Sequence, residues 1–201
     1  MNGVPADVNS SRDALDRADM QRLCEGHEAA LNDLMERHAT PVFHFLCRMV
    51  GNEEDANDLA QETFVRVFKS CQHFRADAKF STWLFTIAAN VARNHFRWRA
   101  RHPSLSLDAD NSETNQTLGG SLPANSPLPD EAALAGERTS AVHSAVKHLP
   151  EELREVIVLC EWEDHSAAEA ASILETTPRA VESRLYRARG ILREQLKTWL
   201  G

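Results

Sequence analysis

The 201-residue chain is 42% apolar and 26% charged, ordinary proportions for a chain that buries a core, and its length allows one medium domain or two small ones. No apolar run approaches a transmembrane helix and the N-terminus lacks the basic-then-apolar layout of a signal peptide, so a cytoplasmic protein without membrane insertion is expected. A net charge of −8 excludes a uniformly basic nucleic-acid binder, but the charge is segregated into acidic and basic blocks.

Residues 1–18 are polar without a sustained apolar period and are expected to form a mobile tail. A helical pattern begins at Asp19, a plausible cap, with Met20, Leu23 and Cys24 on one stripe before Gly26 interrupts it. Ala30, Leu31, Leu34 and Met35 continue at helical spacing. Pro41 suits the first turn of a further helix, whose Val42, Phe43, Phe45, Leu46, Met49 and Val50 are apolar nearly all round and therefore central. Gly51-Asn52 ends it.

The helix from about Glu53 to Ser70 divides sharply. Ala60, Phe64, Val67, Phe68 and Cys71 form a core stripe, while Asp58, Gln61, Glu62 and Val65 share the other face. Residues 51–63 hold five acids and no Lys or Arg. This patch reads either as a solvated acidic face favoured by the helix dipole or as a docking surface for a basic partner. A general acid/base pair is disfavoured, because no nucleophile, metal set or phosphate loop lies nearby in sequence.

Phe74–Arg101 is basic and aromatic. Arg75, Lys79, Arg93, Arg97, Arg99 and Arg101 stand against one acid, Asp77. From Thr82 the pattern is helical, with Leu84, Ile87, Ala88 and Val91 on one stripe and Asn90, Arg93, Asn94 and Arg97 on the other. Such a face either is simply solvated or holds and reads nucleic acid. Residues 102–137 are rich in Pro, Ser, Asn, Gly and Asp, with six acids and no Lys or Arg, which is a linker composition. The expected organisation is all-α, with a tail at 1–18, a helical domain at 19–101, a flexible acidic linker at 102–131 and a second helical domain at 132–201.

In the second domain Leu149, Leu153, Val156, Ile157 and Cys160 follow a core face. A short helix at 167–174, the turn Glu175-Thr176-Thr177 and a helix opened by Pro178 make a helix-turn-helix pattern. On the last helix Val181, Leu185, Ala188 and Leu192 face inward. Arg179, Ser183, Tyr186 and Arg187 lie opposite, flanked by Arg184, and can reach phosphates and base edges. A plain helical hairpin with a charged exterior has the same pattern. The four cysteines, Cys24, Cys47, Cys71 and Cys160, form no C-x-x-C pair; His44 and Cys47 could share a helix face, but two ligands are too few for a closed metal site. No metal or cofactor is expected.

The motifs Asp58-Leu-Ala-Gln-Glu-Thr-Phe64, Phe74-Arg75, Phe80-Ser-Thr-Trp-Leu84, Ile87-Ala-Ala-Asn90, Leu149-Pro-Glu-Glu-Leu-Arg-Glu155 and Ala180-Val-Glu-Ser-Arg-Leu-Tyr-Arg-Ala-Arg189 occur in this order. Together they resemble the bacterial sigma factors of the extracytoplasmic-function group, over nearly all of Asp19–Leu200. The resemblance implies a non-enzymatic subunit that directs RNA polymerase to promoters. Asp58, Gln61 and Glu62 would dock on the β′ clamp helices, and the second domain would meet the β flap. Arg75, Ala76, Asp77, Lys79 and Phe80 would receive a base flipped from the melted −10 non-template strand, Asn90 would help form that pocket, and Arg93, Asn94 and Arg97 would hold upstream −10 DNA. Arg179, Ser183, Arg184, Tyr186 and Arg187 would read −35 duplex. An anti-sigma factor is the expected regulator, and no small-molecule substrate is implied. Glu182 stands where many relatives carry a basic residue, and the turn at 175–177 lacks the usual glycine. Trp83 fits a core position better than a stacking one.

As a coil, a linker of about 36 residues has an r.m.s. span of roughly 30–36 Å. Two turns of DNA need about 70 Å, so the linker is expected to be stretched when both elements are bound. The competing expectation is a helix-turn-helix regulator that binds duplex without polymerase and has no use for the acidic patch.

Overall fold

The computed structural model describes residues 6–75, 77–102 and 129–200, and among these the chain is helical with no strand. The N-terminal unit comprises α1 (Ala6–Cys24), α2 (Ala29–Val50), α3 (Glu53–Ser70), a 3-10 turn (Cys71–His73) and α4 (Phe80–Arg101). The C-terminal unit comprises α5 (Pro129–Lys147), α6 (Glu151–Glu161), α7 (Ala167–Ile173), α8 (Pro178–Gln195) and α9 (Lys197–Leu200). The chain is thus all-α in two helical units, as expected. The second starts at Pro129 rather than Ala132, and the linker residues 103–128 lie outside the described residues.

Two expectations for the N-terminal third are overturned. Residues 6–18 are the body of α1, and Asp19 lies inside that helix rather than capping it. The helix buries only a short apolar stripe, Met20 and Leu23, and polar bonds add to its hold. Asp16, only 1% exposed, accepts from Arg37 Nε at 2.8 Å and shares a 2.8 Å bond with His38 Nε2, while Asp19 accepts from Arg37 Nη2 at 2.6 Å. Likewise Pro41 does not open a helix but lies in the interior of α2. An interior proline leaves the carbonyl four residues back without its amide partner. Here that carbonyl, on Arg37, accepts from Arg12 Nη2 of α1. The polar α1 therefore supplies the groups that let α2 run unbroken.

The remaining joints follow local chemistry. Gly26 and Gly51 adopt left-handed φ values of 94° and 71°, ending α1 and α2. Asn52 then caps α3 by accepting from the Asp55 amide at 2.9 Å. In the C-terminal unit Ser166 and Glu169 form a capping box at the start of α7. Glu175 takes the left-handed position in a turn without glycine, at φ 53°. Thr177 and Pro178 open α8.

Phe45, Leu46 and Met49 of α2 are fully buried, so this helix is central as expected. Burial continues without a break from Met20 through Leu84 and Ile157 to Ala188, so the two units share one core. The seam between them carries paired charge. Arg93 Nε meets Glu155 Oε1 at 2.7 Å, Arg48 Nη1 meets Glu163 Oε1 at 3.3 Å, and Lys79 Nζ meets Glu169 Oε1 at 2.7 Å. Arg48 also lies over the Trp162 ring, and His165 packs edge-on to Phe85 with centroids 4.8 Å apart.

Candidate nucleic-acid interface

The α3 patch is open. Asp58, Gln61 and Glu62 are all exposed, because the core side of the helix is taken by Ala56, Leu59, Thr63 and Val67. Phe68 was expected in the core stripe but is 40% exposed, beside Val65 at 48%. The acidic face therefore ends in two apolar side chains, a mixed surface better suited to a protein partner than to a polyanion. Glu62 is paired along the helix with Arg66 at 3.0 Å.

The basic stretch splits into three environments. Arg75 and Asp77 are exposed and bonded to one another at 2.8 and 3.2 Å, and that bond holds the Asp77 carboxyl below its ordinary range. Ala76 lies outside the described residues. Phe80, expected to contact a captured base, is instead fully buried at the centre of an aromatic cluster. It packs edge-on to His38 and Phe74 and lies 6.1 Å from Trp83, which is half-buried against the same core. The start of α4 needs a large apolar anchor, and Phe80 and Trp83 supply it, so their role is to hold the loop rather than to touch DNA.

On α4 the polar stripe forms as expected. Asn90 Oδ1 accepts from Arg93 at 3.0 Å and Asn94 Oδ1 accepts from Arg97 at 3.1 Å, so each amide orients one guanidinium. Asn94 and Arg97 are exposed, whereas Asn90 and Arg93 are half-buried. Arg93 faces Glu155 of α6, which is 5% exposed. Burial raises the Glu155 carboxyl by more than Arg93 lowers it. Lys79, at the end of the loop, is held by Glu169. Burial acts to raise the Glu169 carboxyl, but Lys79 and the Ser166 amide and hydroxyl outweigh it and hold it at about 2. Glu163, buried beside Arg48, goes the other way and is pushed up to about 7. These three acids were not identified as site residues, because on their own helices they look like ordinary surface charge.

On α8, Arg179, Ser183, Tyr186 and Arg187 are exposed together, with Tyr186 at 82%, while Val181, Leu185 and Ala188 are buried beneath them. An aromatic this open is placed to touch a partner rather than to stabilise the fold. Glu182 lies on the same open surface. Arg184 is turned aside to Glu152 at 3.3 Å. The chain thus presents one free basic face on α8, one half-covered basic face on α4 and an open acidic patch on α3. Among the described residues no helix is long and apolar enough to cross a membrane, and no group of three or more His, Cys, Asp or Glu is placed to hold a metal.

Comparison with known proteins assigns these units. Residues 34–102 match the family described as sigma-70 region 2, and residues 139–192 match sigma-70, region 4. The ECF RNA polymerase sigma factor SigW of Bacillus subtilis is 31% identical over 179 residues, covering 89% of this chain and 95% of that protein. The ECF RNA polymerase sigma-E factor of Escherichia coli K12 is 34% identical over 180 residues, covering 89% and 93%. Among solved structures, CnrH in complex with the cytosolic domain of CnrY matches with a TM-score of 0.66 and 27% identity, over 92% of this chain and 98% of that one.

Proposed function

The chain belongs to the extracytoplasmic-function group of RNA polymerase sigma factors, and from that membership we propose how its surfaces divide the work of initiation. The protein binds core RNA polymerase in the cytoplasm and directs it to promoters, and it performs no chemistry of its own. Asp58, Gln61 and Glu62 dock on the β′ clamp helices, with Val65 and Phe68 as the apolar end of the same contact. The α8 face of Arg179, Ser183, Tyr186 and Arg187 reads −35 duplex, while the C-terminal unit meets the β flap. Arg75, Asp77 and Lys79, with Ala76 between them, form the loop that captures a flipped −10 base. Asn90, Arg93, Asn94 and Arg97 hold the strand beside it. Capture of an unstacked base offsets the few kcal/mol that unstacking costs.

The observation that carries this reading is the pairing of two separate basic faces, one open on α8 and one half-covered on α4, with an acidic patch on a third helix. A stand-alone regulator needs only the α8 face. The closed seam adds a step. Lys79 and Arg93 are both neutralised by acids of the C-terminal unit, so −10 capture follows separation of the two units. The seam also holds groups that favour its opening: Arg48 Nε, Arg154 Nε and His165 Nε2 are buried along it without a hydrogen bond to the protein. Each such group costs about 1–3 kcal/mol, which exposure relieves. An anti-sigma partner belongs to the same reading, supported by CnrH, which is solved in complex with the cytosolic domain of CnrY.

Run-off transcription with core polymerase on promoter fragments tests the proposal. Initiation that depends on both core and this chain is expected. Specific duplex binding by the chain alone, with no core-dependent initiation, refutes it.

A further inference from the structure

Two of the four cysteines that look scattered in the sequence meet in the fold. Cys24 is the last residue of α1, and Cys71 is the first of the 3-10 turn that follows α3. The end of α1 lies against that turn, where Gln72 Nε2 donates to the Cys24 carbonyl at 2.8 Å. The two side chains come close enough for Cys71 to act on the Cys24 thiol. Both residues are only half-buried, so a small oxidant can reach them. The turn also leads directly to the loop: the Phe74 amide donates to the Cys71 carbonyl at 3.0 Å, and Phe74 packs on Phe80 and Trp83 with centroids 6.0 and 5.4 Å away.

We propose that Cys24 and Cys71 form a reversible dithiol–disulfide site, oxidised by a hydroperoxide, whose state is transmitted through Phe74 to the strand-capturing loop. Burial first, then Cys71, then Glu25 push the Cys24 thiol up to about 11. A thiol raised in this way is a poor attacking group, so the attack is assigned to Cys71 and the resolving role to Cys24. The Cys71 sulfur attacks the terminal peroxide oxygen, the O–O bond breaks, and the alcohol, or water when the oxidant is hydrogen peroxide, leaves with the proton that Cys71 gives up. Cys71 is then a sulfenic acid. The Cys24 sulfur attacks the Cys71 sulfur, the S–O bond breaks, and water leaves with the Cys24 proton. In sum two thiols and one hydroperoxide give one disulfide, one alcohol and one water, with two electrons passing from sulfur to oxygen. Cys47 and Cys160 stand in different surroundings. Burial and Glu53 push Cys47 up to about 11, and burial and Glu161 raise Cys160. A pair of accessible thiols in a compartment that keeps thiols reduced is suited to sensing rather than to permanent cross-linking.

The test treats the full chain with graded hydrogen peroxide, removes the oxidant, blocks remaining thiols with a maleimide after unfolding, and maps peptides without reduction. The expected product has lost two hydrogens, carries a Cys24–Cys71 linkage within one molecule and free Cys47 and Cys160, and reverts with dithiothreitol. Cys24→Ser should stop the reaction at a sulfenic acid on Cys71 that dimedone traps, and Cys71→Ser should abolish it. Full maleimide labelling of Cys24 and Cys71 after peroxide, or linkage only between molecules, overturns the site. A second arm mixes the pre-oxidised, peroxide-free chain with core polymerase. A several-fold change in run-off product that is absent from Cys71→Ser supports transmission to the loop, and equal product from both redox forms overturns it. The thiol arm stands without the assignment as a sigma factor. Only the transcription arm rests on it, and reduced wild-type protein run alongside separates failure of that assignment from failure of the coupling.

Discussion

Replacing Glu155 by glutamine is expected to leave the closed form as stable as before, although it neutralises one half of a buried interdomain ion pair. At the 2.7 Å separation of Arg93 Nε and Glu155 Oε1, an effective dielectric near 20 gives an attraction of roughly 6 kcal/mol. Against this stands the removal of both ions from water, several kcal/mol for each. Their side chains are 19% and 7% exposed. The balance is decided by the Glu155 carboxyl, which burial raises further than Arg93 lowers it. A carboxyl with a raised folded value favours the fold most when protonated. Its contribution is best below the unfolded value and declines as pH rises through the folded one. Glutamine mimics the protonated state and still offers an acceptor to Arg93. Urea unfolding at pH 7 should therefore shift by no more than about 1 kcal/mol, instead of the 3–5 kcal/mol typical of a severed buried pair. The same variant should lose the part of the stability–pH slope that lies just above the unfolded glutamate value. A loss beyond about 3 kcal/mol would refute the reasoning and show the pair to be a net source of closure.

The remaining expectations concern four other positions. Asp58→Arg, on the open acidic patch, should abolish competition for core polymerase while leaving the circular dichroism and unfolding midpoint unchanged. Asp16→Ala should destabilise the chain by about 3 kcal/mol in urea unfolding, because it leaves Arg37 and His38 without their shared carboxylate. Arg187→Ala should cost about 1–3 kcal/mol of promoter affinity, concentrated on −35 variants in a binding titration. Glu163, pushed up to about 7, takes up a proton on folding. Stability should accordingly fall by up to about 1.4 kcal/mol per pH unit from roughly 4.5 to 7 and then level off. Glu163→Gln should remove that slope in unfolding curves across the range.

What the sequence made legible is what local chemistry decides. The span of α3, the stop at Gly51 and the burial pattern of α8 follow from periodicity and a left-handed glycine. The exposed acidic patch of α3 and the open face of α8 were legible for the same reason. The features that were hidden depend on partners distant in the chain. Helix α1 has no strong apolar stripe and is held through Asp16 and Asp19 by residues of α2. Pro41 is tolerated mid-helix because a side chain from position 12 reaches the freed carbonyl. Phe80 and Phe68 exchanged their expected environments, since a single stripe does not say which of two aromatics a third helix will cover. The covering of Lys79 and Arg93 depends on acids at 155 and 169, which no periodicity on α4 reveals.

The Glu169 carboxylate divides its labour between its two oxygens. Oε2 accepts from the Ser166 amide at 2.9 Å and hydroxyl at 2.7 Å, closing the first turn of α7, while Oε1 reaches out to Lys79. When Lys79 is withdrawn, only the outward oxygen loses its partner, and solvent can replace it. The cap that keeps α7 wound is untouched. In the proposed opening step, letting go of the loop therefore requires no melting of α7, and the helix-turn-helix would leave with its cap intact.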